Sequence, residues 1–175
     1  SHLRALLDKK LNVVSAYSQP DRPSGRGKKV NPTPVKALAL AYQLPVFQPL
    51  SFDSQGIATL AQQQPDLIVV VAYGLLLPPE VLALPRKGCV NVHASLLPHW
   101  RGAAPIERCL LAGETETGVS IMQMDKGLDT GAVLSRSVIP VSADDNSETL
   151  TAALARLGCE ELCNVINQIV LGTAH

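Results

Sequence analysis

The sequence predicts an α/β fold: an open, mostly parallel, twisted sheet with helices on both faces and an antiparallel edge. Strand-like runs alternate with helical patterns along most of the chain, as in doubly wound folds. The run of apolar residues at 67–72 is continuous, which is typical of a strand covered on both faces. The last two strand-like segments, 117–124 and 132–141, are joined only by a short turn, and this predicts a hairpin.

Each element is predicted from the spacing of its apolar residues and from the Gly, Pro and polar residues that bound it. Residues 19–34 are rich in Pro, Gly, Arg and Lys and are predicted to form a long loop. Ser147 is the expected N-cap of the last helix. Helices are predicted at 3–9, 35–43, 57–64, 79–84, 103–112 and 147–171, and strands at 12–17, 45–47, 67–72, 88–93, 117–124 and 132–141.

Composition limits the class of protein. A chain of 175 residues fits one domain, 1–175, or part of a larger protein. Hydrophobic residues make up 46% and aromatic residues 3%, so the core must be mainly aliphatic. The formal net charge is zero, so nucleic-acid binding would have to come from a local basic patch. No apolar run approaches the roughly 18 to 20 residues that a membrane span needs, and no signal-peptide pattern is present.

The four cysteines do not form a recognisable metal or redox motif. No pair has the C-x-x-C spacing, and Cys159 and Cys163 are spaced to share one face of the last helix. We expect buried, reduced thiols in a cytosolic protein. The sequence also lacks G-x-G-x-x-G and Walker patterns, so no motif supports a dinucleotide or nucleoside-triphosphate site.

Two polar side chains stand at the end of a predicted strand. Asn91 and His93 are two residues apart and therefore share a face, at the carboxyl end where open α/β sheets bind ligands. Asp129 follows His93 by 36 residues, a separation that brings it to the same end of the neighbouring strand. We expect the three side chains to converge.

An amide, an imidazole and a carboxylate can run acyl transfer without a covalent nucleophile. Asn91 and His93 could donate to the oxyanion that forms when an amine attacks a carbonyl, each donor being worth roughly 3 to 4 kcal/mol. Asp129 could orient and charge His93 and assist proton transfer. Taken singly, however, His93 fits a structural histidine, Asn91 a strand end and Asp129 a turn former, so the residues alone leave both interpretations open.

Three segments carry a resemblance. Residues 91–98 (NVHASLLP) with 100–106 (WRGAAPI) resemble the signature of folate-dependent formyltransferases, and residues 125–131 (DKGLDTG) resemble their second motif. The resemblance implies a Rossmann-like fold, 10-formyltetrahydrofolate as formyl donor, no metal, and catalytic roles for Asn91, His93 and Asp129.

The resemblance also implies a folate site. A flat pterin with a polar rim suits an apolar slot edged by backbone donors and acceptors, which leucines can supply, although plain core packing explains such leucines equally well. The implied folate contacts are Ser95, Leu96, Leu97, Pro98, Tyr73, Gly74, Leu75, Leu77, Asp125 and Gly127.

A basic loop narrows the resemblance to the methionyl-tRNA formyltransferases. Residues 21–29 carry four positive charges against one negative charge, and glycines let the backbone approach phosphate closely. The resemblance implies that loop 19–34 contacts the initiator tRNA; by themselves the residues also fit a solvated, mobile loop. The implied tRNA-binding residues are Arg22, Arg26, Lys28 and Lys29.

Other expectations follow from the same resemblance. Such enzymes begin with a further strand upstream and carry a C-terminal tRNA-binding domain, so we expect the complete protein to be longer. We expect a monomer in the bacterial cytoplasm. One alternative is a related enzyme that formylates an amino-sugar nucleotide or glycinamide ribonucleotide, and another is a folate- or RNA-binding module without catalysis.

Overall fold

The computed structural model describes residues 1–24 and 29–174, and the side chains within this part except those of residues 23–30. Helices and strands alternate along it, as predicted. In chain order the elements are α1 (His2–Asp8), β1 (Ala16–Tyr17), β2 (Arg22–Ser24), β3 (Lys29–Asn31), α2 (Pro34–Ala41), β4 (Val46–Phe47), α3 (Ser54–Gln62), β5 (Ile68–Val71), α4 (Pro79–Leu82), β6 (Cys89–His93), α5 (Pro105–Leu111), β7 (Glu116–Gln123), β8 (Val133–Pro140) and α6 (Ser147–Leu171).

The main sheet has the order β5-β6-β7-β8. Strands β5 and β6 are parallel, with Val70 opposite Asn91, while β6–β7 and β7–β8 are antiparallel. The predicted antiparallel edge is therefore present. His93 pairs with Ser120 of β7, so the polar end of β6 is flanked by strands on both sides.

The predicted strands at 12–17 and 45–47 are shorter than expected and lie outside the main sheet. Only Ala16–Tyr17 and Val46–Phe47 pair, in parallel, as a separate two-stranded sheet. Within the described residues the predicted sheet is thus divided in two, because β5 forms backbone hydrogen bonds only with β6. The pairing is mixed, since β5–β6 is parallel and β6–β7 is antiparallel.

Four aromatic side chains form a cluster between these two sheets. Tyr17 stacks on Phe47 with ring centroids 5.0 Å apart and lies 6.1 Å from Phe52. Phe52 in turn lies 6.3 Å from Tyr73, which follows β5. The chain has only five Phe and Tyr residues, so most of its Phe and Tyr side chains pack between these two sheets.

The segment predicted as a loop at 19–34 contains a hairpin. Strands β2 and β3 pair antiparallel, with Arg22 opposite Asn31. Its short strands show neither hydrophobic alternation nor β-branched enrichment, which explains why the sequence pattern did not reveal it.

The aliphatic core lies between α6 and the inner face of the sheet, as the composition predicts. Its buried members include Val90, Val119 and Ile121 from strands and Leu150 and Leu162 from α6. None of the helices within residues 1–24 and 29–174 combines the length and apolarity that crossing a bilayer requires.

The N-cap of α6 is Asn146, not Ser147. The Asn146 side chain accepts from the backbone N–H groups of Glu148 and Thr149, and the Thr149 hydroxyl accepts from the Asn146 N–H. The prediction was wrong by one residue because both are good capping residues; the extended backbone of Asn146 (φ −130°, ψ 178°) decides between them.

All four cysteines are free thiols. Cys89, Cys109 and Cys163 are buried, and Cys159 is half-buried, so the expected shared face of α6 is only partly buried. Burial raises the pKa of Cys89 to about 11, which keeps this thiol protonated at neutral pH.

Gly118 permits the close approach of β7 and β8, and its replacement by alanine should destabilise the fold. A Cβ there would lie 2.0 Å from the Ser137 carbonyl oxygen and 2.5 Å from Leu96 Cδ2. We expect Gly118→Ala to lower the free energy of unfolding by about 2 kcal/mol, measured by urea denaturation. Gly56→Ala in α3, where the nearest atom is 3.3 Å away, should stay within about 1 kcal/mol of wild type. Equal stability of the two variants would contradict this account.

Candidate active site

The structure brings Asn91, His93 and Asp129 together at one end of the sheet. Asn91 and His93 belong to the end of β6, and Asp129 lies in the turn between β7 and β8. Asn91 Nδ2 donates to Asp129 Oδ1 at 3.3 Å, and His93 Nδ1 lies 3.5 Å from Asp129 Oδ2. Side chains from two separate segments therefore meet at one carboxylate.

The position of Asp129 is set by its backbone and by a third contact. Its φ is +51°, in the left-handed region that few side chains adopt. Asp129 Oδ2 accepts from the Gly102 N–H at 2.8 Å. The carboxylate thus also fixes the loop that follows β6, and this interaction helps to offset the strain of its own backbone.

A contact of ring nitrogen Nε2 fixes the orientation of the His93 side chain. Nε2 lies 2.9 Å from the carbonyl oxygen of Trp100. A carbonyl only accepts, so Nε2 carries the hydrogen and Nδ1 faces Asp129. The side chains of His93 and Asp129 are only 7% and 13% exposed, so water competes weakly for their contacts. A ring protonated on both nitrogens donates to both partners.

Trp100, which the sequence analysis did not assign to the site, is itself anchored. Its Nε1 donates to Glu114 at 3.0 Å, and the Arg108 guanidinium lies over its ring, 4.8 Å from the centroid. Trp100 also has a positive φ of 56°. These contacts hold the carbonyl that orients His93. The signal available in the sequence was its place in the segment 100–106, which carries part of the resemblance.

A second group missed by sequence reasoning fixes the predicted folate loop at 95–98. The fully buried Ser120 accepts from the Leu97 N–H at 3.0 Å and donates to the Ser95 carbonyl at 2.7 Å. Arg136 Nε donates to the Leu97 carbonyl at 2.8 Å. A serine in the middle of an apolar strand was the available signal for Ser120. The loop is thereby held in one backbone conformation.

The loop residues differ in what they can offer a ligand. The side chains of Ser95 and Leu97 are buried, at 0% and 3% exposure, and the Ser95 hydroxyl donates to the His99 carbonyl at 2.5 Å. Leu96 is half-buried and Pro98 is exposed. Any contact from Ser95 or Leu97 would therefore come through the backbone.

The other predicted folate segment follows β5. Leu75 and Leu77 are half-buried, whereas Leu76 is 84% exposed. The hydroxyl of Tyr73 is buried with no hydrogen-bond partner among the described residues, and burial raises its pKa. Gly74 has a φ of +77°, which suits glycine. The backbone therefore turns sharply where β5 ends.

A cavity of about 460 Å³ opens beside this segment. Its walls come from both sides of the hairpin and from the end of β5. The lining residues are Gln19, Pro20, Arg22, Asn31, Pro32, Thr33, Pro34, Ala72, Tyr73 and Gly74.

The turn that presents Asp129 is stiffened by Asp125. Its carboxylate accepts from the Thr130 hydroxyl at 2.7 Å and from the Gly127 N–H at 2.8 Å. The Thr130 contact, followed by the Gly127 contact, lowers the pKa of Asp125, so this exposed carboxylate stays ionised. A Cβ on Gly131 would lie 1.8 Å from the Gln123 carbonyl oxygen, so glycine is required there.

A second cavity, of about 410 Å³, borders Leu96, His99 and Trp100. Asn91, His93 and Asp129 line neither of the two cavities described. Their polar atoms are engaged with one another and with the loop after β6. Among the described residues no group of three or more His, Cys, Asp or Glu side chains is arranged to hold a metal ion.

The basic residues predicted to bind tRNA are described only in part. Arg22 is exposed, and its Nη2 lies 3.4 Å from Gln19 Oε1. Arg26 and Lys28 lie outside the described residues, as does the side chain of Lys29.

Removing the Ser120 hydroxyl should loosen the loop at 95–98. Ser120→Ala leaves the Leu97 N–H and the Ser95 carbonyl without this partner, so we expect a loss of about 2 kcal/mol in the free energy of unfolding and faster exchange of the Leu97 amide hydrogen. Urea denaturation and hydrogen exchange measure the two effects. Ser142→Ala, at an exposed site, should change stability by less than about 0.5 kcal/mol; unchanged exchange at Leu97 would count against the assigned role.

Comparison with known proteins identifies the family. The sequence matches a family model described as formyl transferase over residues 1–166. The phosphoribosylglycinamide formyltransferase from Streptococcus pneumoniae TIGR4 superposes with a TM-score of 0.79 at 24% identity, covering 97% of this chain and 93% of that chain. Glycinamide ribonucleotide transformylase 1 from Geobacillus kaustophilus gives 0.72 at 28% identity, covering 91% and 87%.

A formyltransferase from Anoxybacillus kamchatkensis, solved with a formamido UDP-sugar and tetrahydrofolate, gives a TM-score of 0.66 at 22% identity and covers 91% of this chain and 78% of that chain. The superpositions confirm the predicted Rossmann-like α/β fold. Because the family model spans nearly the whole chain, the protein belongs to the formyl transferase family, whose members depend on folate.

Proposed function

We propose that this protein transfers the formyl group of 10-formyltetrahydrofolate to the amino group of methionyl initiator tRNA. Formyl transfer is the chemistry of the family; the acceptor and the roles of individual residues are the proposal. One observation carries the chemistry: Asn91 Nδ2 donates to the carboxylate of Asp129, and His93 Nδ1 lies 3.5 Å from the same carboxylate.

The reaction forms a bond between the acceptor nitrogen and the formyl carbon and breaks the bond from that carbon to N10 of the folate. One proton passes from the acceptor nitrogen to N10, so no oxidant or reductant is required. The negative charge that develops on the formyl oxygen needs hydrogen-bond donors that are already in place.

Asn91 and His93 are those donors in the proposed mechanism. Asn91 Nδ2 carries two hydrogens, and its contact with Asp129 uses one. His93 is held at Nε2 by the Trp100 carbonyl, which leaves Nδ1 to face both Asp129 and the reacting oxygen. Each donor contributes roughly 3 to 4 kcal/mol to stabilising the transition state.

Asp129 has two tasks in this proposal. Its carboxylate faces Nδ1 of His93 at 3.5 Å and so orients the imidazole ring. It also accepts the proton that leaves the attacking amine, directly or through water. Its low exposure strengthens both interactions.

The residues after β5 and β6 fit a folate. Half-buried Leu75 and Leu77 offer apolar surface, and the fixed backbone at 95–98 offers polar groups at defined positions, a combination that suits a flat ring with a polar rim. We propose contacts through Tyr73, Gly74, Leu75, Leu77, Ser95, Leu96, Leu97, Pro98, Asp125 and Gly127.

The hairpin supports a nucleic-acid acceptor. The one acidic residue of its sequence, Asp21, is paired with Lys36, so its charge is compensated locally. Arg22 is exposed and borders the cavity next to Tyr73. Together with Arg26, Lys28 and Lys29, it would contact phosphates of the acceptor stem and place the aminoacyl end near the site.

A small amine is the second candidate acceptor, and the compared structures favour it. Two of them are named for phosphoribosylglycinamide, which is another name for glycinamide ribonucleotide, and one holds a formamido sugar nucleotide. The cavity of about 460 Å³ also has the volume of a small-molecule site. Under either acceptor we propose a monomer that works without metal in the bacterial cytoplasm.

Substitutions at the polar centre test the chemistry. In the full-length protein we expect His93→Ala and Asp129→Asn each to lower kcat by about 100-fold or more, because each removes or misorients a transition-state donor. Formyl transfer is followed from labelled formyl folate. The control Asp144→Asn changes an exposed aspartate and should keep wild-type turnover. Near-normal rates in either site variant would end this mechanism, and folate binding without any wild-type turnover would favour a non-catalytic module.

Acceptor competition tests the substrate. We expect turnover of charged initiator tRNA to exceed that of glycinamide ribonucleotide and an amino-sugar nucleotide, and to fall steeply with salt because phosphate contacts release counterions. Arg22→Ala should raise the KM for tRNA and make its salt dependence less steep, because one proposed phosphate contact is lost. Preferential turnover of a small amine would instead establish the second candidate.

A further inference from the structure

The root of the hairpin is closed by three polar side chains, which we call the hairpin clamp: Asp21, Lys36 and Gln48. Lys36 Nζ donates to Asp21 Oδ2 at 2.5 Å and to Gln48 Oε1 at 2.7 Å. Gln48 Nε2 donates to Asp21 Oδ1 at 2.8 Å. Each member bonds to both others, so the clamp is a closed ring.

The clamp joins segments that are distant in sequence. Asp21 directly precedes β2, Lys36 belongs to α2, and Gln48 directly follows β4. Gln48 Nε2 also donates to the Gln19 carbonyl at 2.8 Å. Gln19 Nε2 donates to the Tyr73 carbonyl at 2.8 Å. The root of the hairpin is therefore hydrogen-bonded to the segment that follows β5.

The second leg of the hairpin is held in the same way. The hydroxyls of Ser18 and Thr33 lie 2.5 Å apart, and Ser18 also donates to the Gln19 carbonyl at 2.8 Å. Thr33 is the N-cap of α2 through its contact with the Lys36 N–H. Both ends of the segment that carries the basic residues are therefore fixed to the body of the protein.

Shielding makes these contacts more effective than ordinary surface pairs. The side chains of Lys36 and Asp21 are 22% and 24% exposed, whereas those of Arg86 and Asp66 are 85% and 67% exposed. The hydrogen bond from Lys36 lowers the pKa of Asp21, so this carboxylate stays charged at a lower pH than an ordinary aspartate does. A hairpin with three-residue strands is marginal alone and needs such an anchor.

We infer that the hairpin clamp is a positioning device for the acceptor, which fixes the direction of the basic hairpin relative to the cavity at Tyr73. This inference rests on the proposed tRNA acceptor. Among the described residues, the side-chain hydrogen bonds of Asp21, Lys36 and Gln48 join them to one another and to Gln19, and do not reach the loop at 95–98 or Asp129. Their loss therefore affects acceptor binding and leaves the chemical step intact.

Asp21→Asn separates this role from simple electrostatics. An asparagine has one acceptor oxygen, whereas Lys36 and Gln48 both donate to Asp21, so one contact of the ring is lost. The substitution also removes a negative charge beside a phosphate-binding hairpin, which on charge alone would tighten RNA binding. The two accounts thus predict opposite signs.

The experiment compares kcat and KM of the full-length protein with charged initiator tRNA. For Asp21→Asn we expect KM for tRNA to rise about tenfold, the effect of losing one charge-assisted hydrogen bond, with kcat and the KM for formyl folate within about twofold of wild type. Gln48→Met, which changes no charge, should show the same split. Asp66→Asn, the same chemical change in an exposed pair, should match wild type.

Hydrogen exchange supplies a second readout. The backbone amides of β2 and β3 should exchange faster in both clamp variants, while those of β6 should not. If Asp21→Asn proves unstable, Gln48→Met carries the same comparison. An unchanged or lower KM for tRNA in both folded variants overturns the inference. Failure of the wild type to formylate charged tRNA overturns the proposed acceptor first, and the inference with it.

Discussion

The carboxylate of Asp129 is the point at which the functional segments of the chain are tied together. One oxygen accepts from Asn91 at the end of β6. The other accepts from Gly102 in the following loop and faces His93. A carboxylate with low exposure needs such donors, because burying it unpaired costs several kcal/mol. The same contacts that satisfy the charge place the amide and the imidazole side by side, so stability and site geometry have one cause.

Hydrogen bonds hold the loop around this carboxylate in place, and the same loop contains strained backbone. Ser120 and Arg136 satisfy the backbone of the loop after β6, while Trp100 and Ala104 in the same region have positive φ values of 56° and 54°. Strained residues persist only where neighbouring contacts determine them, and they concentrate at functional sites. A preorganised loop stabilises developing charge without reorganising at the moment of reaction.

In the proposed mechanism, acceptor choice is separable from this centre. The polar centre lies at β6 and in the β7–β8 turn, whereas the hairpin belongs to the N-terminal part of the chain and is anchored through the hairpin clamp. One similar structure is named for phosphoribosylglycinamide, and another was solved with a formamido UDP-sugar. One fold can serve several amines, because function depends on the site and not on the fold.

Local signals alone determined the alternation of helices and strands, the aliphatic core, the antiparallel edge and the pairing of Asn91 with His93, since residues two apart on a strand must share a face. Only tertiary structure decided features that depend on contacts distant in sequence. These are the hairpin within 19–34, the division of the sheet, the support from Ser120 and Trp100, and the clamp at Lys36 and Gln48. The physical reason is that spacing shows which way a side chain points, whereas a hydrogen bond requires knowing which distant group the folded chain brings to meet it.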